Sequence, residues 1–152
     1  MFWYNCLVNG FAEGWALFSE KLGNNYSEED LLGVLSYNLL RSLRIIADIS
    51  IHYYGVAPED MIELFKNYLP MNDRSIETEI YRYVSLPGQA LGYKLGDKIF
   101  KAIFYKKFKR LDNLLGDDAI ELYRELITEG SIPLELLCKK YDIDIKELFE
   151  TY

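Results

Sequence analysis

The feature that most constrains the fold is the spacing of apolar residues in the long segment from residue 31 to about residue 52. Leucine and isoleucine recur there at steps of three and four, at Leu32, Leu35, Leu39, Leu43 and Ile46. Residues at this spacing share one side of an α-helix, whereas the side chains of a strand alternate every second residue. The segment is therefore predicted as a long α-helix that carries an apolar stripe.

The rest of the chain carries helix signals of the same kind. Residues 27–30, SEED, have the form of a capping box in front of the long helix. Pro58, Pro87 and Pro133 each predict the first turn of a later helix, and the helix after Pro87 is predicted to run to about Asp112. No segment shows strand alternation, and no Ser- or Gly-rich linker divides the chain. We predict an all-α fold in which residues 1–152 form a single domain of six to eight helices.

Charge and composition exclude several classes of protein. The net charge of −7 argues against a general affinity for nucleic acid, which needs clustered lysines and arginines. The basic segment 101–110, KAIFYKKFKR, has helical spacing and is interpreted as the solvated face of an amphipathic helix. No apolar run is long enough to span a bilayer, and the opening MFWYNCLV lacks the features of a signal peptide. With two lone cysteines, Cys6 and Cys138, these features predict a cytoplasmic protein that contacts neither nucleic acid nor membrane.

Polar side chains line one side of the predicted long helix. Arg44, Asp48 and His52 follow one another at intervals of four residues within the apolar sequence RIIADISIH. Charged groups among apolar neighbours are expected to be partly buried and therefore paired. One interpretation is a structural ion-pair network that includes a hydrogen-bonded histidine, and the other is a functional site.

A second polar cluster lies in the segment 79–96, EIYRYVSLPGQALGYKLG. Glu79 and Tyr83 are four residues apart, as are Gln89 and Tyr93. Glycine recurs at every fourth residue, at positions 88, 92 and 96. Glycine costs roughly 1 kcal/mol relative to alanine inside a helix, so such a repeat needs a structural reason. The repeat predicts close approach of another backbone, and the polar side chains either face a cleft or bond within the interior.

Glu13 is the most unusual acidic residue of the chain. It lies in the segment GFAEGWALFSEKLG, with Phe11, Ala12 and Trp15 around it. An amphipathic helix accounts for Glu20 better than for Glu13. Three interpretations therefore remain open for Glu13: a solvated residue, a buried ion-pair partner, or one ligand of a metal site whose other ligands lie elsewhere.

Taken together, four blocks of this sequence resemble a known bacterial family. The blocks are EGWALFSE, RSLRIIADISIH, EIYRYVSLPGQALGYKLG and GSIPLELL. Their order and approximate spacing are similar to those in the C-terminal part of the family called domain of unknown function 885, and they cover nearly the whole chain. Members of that family are similar to helical zinc metallopeptidases of the gluzincin type.

The resemblance implies roles for individual residues. In gluzincins an HExxH helix supplies two histidine ligands and the general base, and a glutamate from a later helix completes the zinc site. Glu13, in EGWAL, resembles that third ligand. The positions implied to line the substrate cleft are His52, Arg82, Tyr83, Gln89 and Tyr93.

The chain departs from the family pattern in the metal-binding half. It has no HExxH motif, and His52 is its single histidine. A catalytic zinc needs about three protein ligands. Tyr123 also stands where family members carry a histidine. We therefore expect no zinc and no catalysis in the isolated chain, which resembles the second half of an enzyme whose N-terminal half is missing.

Three hypotheses follow. The first is a non-catalytic remnant or fragment that retains part of the cleft and either binds a peptide or small ligand or assembles as a homo-oligomer through exposed apolar surface. The second is one subunit of a split zinc metallopeptidase, in which Glu13 supplies a ligand to a separate HExxH chain. The third is a structural interaction module in which Glu13, His52 and Tyr93 do not converge. Without a metal, Glu13 is expected to pair with Arg41, Arg44 or Arg82.

Overall fold

The computed structural model describes the backbone of residues 2–20, 27–112, 114–128 and 130–150, and side chains there except at 2–8, 147, 149 and 150. These ranges contain eight helices and no strand, so the predicted all-α fold and the number of helices are confirmed. None of these helices is both long enough and apolar enough to cross a bilayer. The helices are α1 (Phe2–Ser19), α2 (Glu28–His52), α3 (Pro58–Tyr68), α4 (Asp73–Ser85), α5 (Leu91–Phe108), α6 (Asp117–Thr128), α7 (Leu134–Lys140) and α8 (Ile145–Glu150).

Local capping accounts for where several helices begin. The Ser27 hydroxyl accepts a hydrogen bond from the Asp30 N–H, and the Asp30 carboxylate accepts one from the Ser27 N–H, which confirms the predicted capping box. Pro58 occupies the first turn of α3, as predicted. The prediction that Pro87 begins a helix ending near Asp112 was wrong. Gly88 has a φ of +79°, which a right-handed helix cannot contain, so residues 87–90 form a turn before α5, which ends at Phe108.

The described helices belong to two compact units. Helices α2–α4 lie in residues 25–91, here called the α2–α4 unit, and the other five helices lie in residues 3–24 and 92–152, here called the α1/α5 unit. The prediction that residues 1–152 are one domain stays a prediction.

Aromatic rings fill the core of the α1/α5 unit. Phe100 contacts Phe11 and Trp15 edge to face, with ring centroids 5.2 and 5.5 Å apart. Phe18 and Tyr123 add two further rings to this cluster. Cys138 is a buried, free thiol in the same core, while the side chain of Cys6 lies outside the described residues. Edge-to-face packing of this kind stabilises a core beyond the area it buries.

The core of the α2–α4 unit contains aliphatic residues of α2 together with Phe65 and Tyr83. Helix α2 buries Leu40, Leu43 and Ala47 in this core. Four of the five residues that define the predicted stripe are instead exposed, namely Leu32, Leu35, Leu39 and Ile46. The spacing therefore identified the helix correctly, but most of the stripe lies away from the side that faces the core.

Candidate functional site

Four glycines bring two helices of the α1/α5 unit into backbone contact. A Cβ built on Gly96 would lie 2.6 Å from the Cα of Gly14, and one built on Gly92 would lie 3.2 Å from the Cα of Gly10. No larger residue fits such distances without movement of the backbone. The glycine repeat therefore packs against another backbone, as predicted, and that backbone is α1. Gly88 is not part of this contact, because it lies in the turn before α5.

The backbone contact positions one polar pair. Glu13 directly precedes Gly14, and Tyr93 directly follows Gly92. The Tyr93 hydroxyl donates a hydrogen bond of 2.8 Å to Glu13 Oε1, and both side chains are partly buried. The hypothesis of a purely structural module expected Glu13, His52 and Tyr93 not to converge on one cleft, and that stays a prediction. Pairing of Glu13 with an arginine of the α2–α4 unit stays a prediction.

Glu79 is the hub of a polar network in the α2–α4 unit. Its Oε2 accepts hydrogen bonds from Tyr83 Oη at 2.6 Å, Arg82 Nη2 at 2.9 Å and Arg44 Nη2 at 3.2 Å. Arg44 Nε also donates to Tyr83 Oη at 2.9 Å, and Arg82 Nη1 donates to Gln89 Oε1 at 2.8 Å. The network therefore links α2, α4 and the turn after α4.

The charge states of this network follow from its contacts. Burial acts to raise the pKa of Glu79, but the hydrogen bonds from Arg82 and Tyr83 and the two guanidinium charges outweigh burial, so the pKa is lowered. Burial, together with the hydrogen bond to Glu79, raises the pKa of Tyr83 well above its ordinary value. Glu79 is thus ionised and Tyr83 is protonated at neutral pH.

Asp48 and His52 fix the backbone around this network. The Gly88 N–H donates to both carboxylate oxygens of Asp48, at 3.1 and 2.9 Å, and Asp48 is buried. Burial raises the pKa of Asp48 despite that hydrogen bond. His52 Nε2 lies 3.0 Å from the Tyr83 carbonyl oxygen and donates to it in the tautomer with a proton on Nε2. Asp48 therefore holds the left-handed turn that places Gln89 next to Arg82.

The structure joins four of the five implied cleft residues. His52, Arg82, Tyr83 and Gln89 belong to one hydrogen-bonded network in the α2–α4 unit. Tyr93 pairs with Glu13 in the α1/α5 unit. That all five residues line one cleft stays a prediction.

Sequence reasoning missed part of this arrangement. Asp48 was expected among ion pairs on α2, but its described bonds are to the backbone of Gly88. The role of Glu79 as the hub was not predicted, although its spacing from Tyr83 was a signal for it. Tyr123, which stands where the family carries a histidine, is buried and donates a 2.8 Å hydrogen bond to the Leu114 carbonyl. Among the described residues, no three His, Cys, Asp or Glu side chains come together as a metal site would require.

A solved structure is similar to most of the present chain. It is the crystal structure of a "putative lipoprotein" from Colwellia psychrerythraea, with a TM-score of 0.75 and 29% sequence identity. The alignment covers 91% of this chain and 24% of that one, so this chain spans about a quarter of the length of that protein. No curated protein matches the sequence.

The family comparison agrees with the four sequence blocks. It covers residues 3–140, which include α1 with Glu13, the whole Glu79 network and the glycine contacts of α5. The chain therefore belongs to the family described as bacterial protein of unknown function, DUF885.

Proposed function

We propose that this chain is a non-catalytic helical part of a zinc-peptidase-like protein and that it retains part of a peptide-binding cleft. The observation that carries the proposal is the Glu79 network, which joins four residues of the implied cleft through direct hydrogen bonds. Such a network holds side chains in one geometry before a ligand arrives, which lowers the entropic cost of binding.

The network also remains within reach of a ligand. The side chains of Arg82 and Glu79 are 29% and 23% exposed, and that of Arg44 is 13% exposed. A guanidinium offers several donors, and a carboxamide offers both a donor and an acceptor, so Arg82 and Gln89 together suit the C=O and N–H groups of a peptide. Binding sites commonly place a few such polar groups in an apolar surround.

A titration with a defined peptide tests this proposal. Amide and side-chain spectra of the ¹⁵N-labelled chain would be recorded with the tripeptide alanyl-phenylalanyl-alanine at millimolar concentration. The expected result is a saturable shift of the Gly88 amide and the Gln89 carboxamide, lost in Arg82→Ala. Arg74→Ala is the matched control, because Arg74 is an exposed arginine on the same helix, and it should bind like the wild type. Shifts confined to other regions, or none, would reject the proposal.

A second candidate function is favoured by the Tyr93–Glu13 hydrogen bond. Carboxylates that bind metals are themselves held by hydrogen bonds from surrounding residues, and Tyr93 makes such a bond to one oxygen of Glu13. Among the described residues, the second oxygen has no hydrogen-bond partner. Glu13 would then complete a zinc site whose histidines come from a separate HExxH chain, since this chain has a single histidine. The metal would supply Lewis acidity, and this chain would supply one oriented ligand.

Zinc analysis of a complex tests the second candidate. A protein carrying HExxH and encoded beside this chain would be co-expressed with it, and zinc bound to the purified complex would be measured. Glu13→Gln should abolish zinc retention, and Tyr93→Phe should weaken zinc affinity by about 10- to 100-fold. Tyr105→Phe, which removes an exposed hydroxyl from the same helix, is the control. Unchanged zinc in Glu13→Gln would exclude this role.

A further inference from the structure

One face of α2 is apolar and exposed, beside the face that contributes to the core. Leu40, Leu43 and Ala47 are buried in the α2–α4 unit. The exposed face is here called the heptad face, and it consists of Ser42 and five apolar residues. The exposed fractions of the apolar residues are 67% for Leu32, 57% for Leu35, 39% for Leu39, 48% for Ile46 and 38% for Ile49. Monomeric proteins rarely leave a contiguous apolar surface of this extent in water.

The spacing of the heptad face fits a helix as its partner. From Leu32 to Ile49 the steps are 3, 4, 3, 4 and 3, which is the a/d pattern of a coiled coil, and a further step of 4 reaches Tyr53, which is 80% exposed. Ser42 is the polar member, and its hydroxyl already donates to the Asn38 carbonyl within the helix. Its burial therefore leaves no donor without an acceptor.

The charges of α2 are compatible with a second copy of the same helix and favour the antiparallel direction for that pair. The positions that flank the heptad face from residue 31 to residue 52 hold no Asp, Glu, Lys or Arg, so two copies meet without repulsion there. The first turn of α2 carries Glu28, Glu29 and Asp30. A parallel pair would place six carboxylates together, whereas an antiparallel pair separates the two acidic turns by about 30 Å, well beyond the Debye length.

We propose that this chain forms an antiparallel homodimer through the heptad face of α2. In the register that pairs a with d positions, Leu32 lies opposite Ile49 of the second copy, Leu35 opposite Ile46, and Leu39 opposite Ser42. The dimer covers the exposed face of α2 and leaves the core-facing side of the helix unchanged. This inference is independent of whether the chain binds a peptide or contributes to a zinc site.

The oligomeric state tests the interface. Light scattering of the wild-type chain at micromolar concentration should give twice the chain mass of 17.8 kDa. Leu35→Glu combined with Ile46→Glu should weaken association by about a hundredfold or more, because it places unpaired charges in the interface. Ile127→Glu changes a residue of similar exposure, 56%, on α6 and should remain a dimer. A monomeric wild type, or a dimeric Leu35→Glu, Ile46→Glu chain, overturns the proposal.

Mixing experiments test the orientation. Leu35→Glu and Ile46→Lys chains should each be monomeric and should form a heterodimer when mixed, because residues 35 and 46 face each other in the antiparallel register. Leu35→Glu mixed with Leu35→Lys is the matched control and should not associate. Association of the control pair, or failure of both mixtures, overturns the antiparallel register. Far-UV circular dichroism checks that the variants stay helical, and Leu35→Gln with Ile46→Gln replaces any charged variant that unfolds.

Discussion

Replacing Gly14 with alanine is expected to destabilise the α1/α5 unit by about 2 to 3 kcal/mol. A Cβ on Gly14 would overlap the backbone of Gly96, so the two helices must separate. Both tryptophans of the chain, Trp3 and Trp15, lie in α1, so their fluorescence follows this unit during urea unfolding. The expected result is a lower unfolding midpoint for Gly14→Ala at an unchanged slope.

Gly33→Ala provides the control for this prediction. Gly33 lies inside α2, and a Cβ there would meet nothing within 4 Å. Alanine has the higher helix propensity, so Gly33→Ala should stabilise the α2–α4 unit by up to about 1 kcal/mol, measured for both variants by circular dichroism during urea unfolding. If Gly14→Ala behaved like Gly33→Ala, the two helices could not be in backbone contact.

Replacing Glu79 with alanine is expected to destabilise the α2–α4 unit by about 2 to 3 kcal/mol. The change leaves two guanidinium groups and the buried Tyr83 hydroxyl without their shared acceptor. The loss stays at the lower end of the range for buried ion pairs, because the Glu79 side chain is 23% exposed. Glu77→Ala is the control, since Glu77 is exposed on the same helix and should change stability by less than about 0.5 kcal/mol.

The contribution of Glu79 to the stability of the fold should also depend on pH. Because its folded-state pKa lies below the ordinary value of 4.5, the ionised carboxylate stabilises the fold above that pH, and this stabilisation is lost as pH falls through the folded pKa. The difference in Tm between the wild type and Glu79→Gln should therefore be largest at neutral pH and should disappear in strong acid. The raised pKa of Asp48 acts in the opposite direction, but it is present in both proteins and cancels in the comparison. A gap that does not vary with pH would show that the charge of Glu79 is not responsible.

The helices were predictable because their signals are local. The Ser27 capping box and the Pro58 turn involve residues within one turn of each other, and sequence spacing reports such contacts directly. The start of α5 was not predictable from Pro87. It depends on the left-handed Gly88, whose N–H bonds to Asp48 forty residues earlier.

The side of α2 that faces the core could not be predicted from spacing alone. An apolar stripe at steps of three and four is equally typical of a helix side that packs within its own domain and of one that packs on a partner. Of the five residues that defined the stripe, Leu43 is buried and the other four are exposed. Which side is covered depends on α3 and α4, whose positions no pattern within α2 encodes.

In the candidate site, too, contacts within one helix turn could be predicted from the sequence, whereas contacts between distant residues could not. The proximity of Glu79 to Tyr83 follows from a spacing of four, but the contribution of Arg44 comes from 35 residues away. Tyr93 and Glu13 are eighty residues apart, and no local pattern could join them. The glycine repeat did predict a close neighbour for α5, because the helix-propensity cost of Gly92 and Gly96 is explained by their contact with the α1 backbone.

The glycine contacts also constrain the hydrogen bond between Glu13 and Tyr93. Glu13 and Tyr93 each adjoin a glycine that touches the opposite helix, so the separation of their backbones is set by that contact. A larger residue at Gly14, Gly92 or Gly96 would meet the backbone of the opposite helix and move the two polar residues apart, whereas one at Gly10 would first meet the Leu134 side chain. In a mutational scan, variants at these three glycines should therefore lose the Glu13–Tyr93 hydrogen bond together with stability.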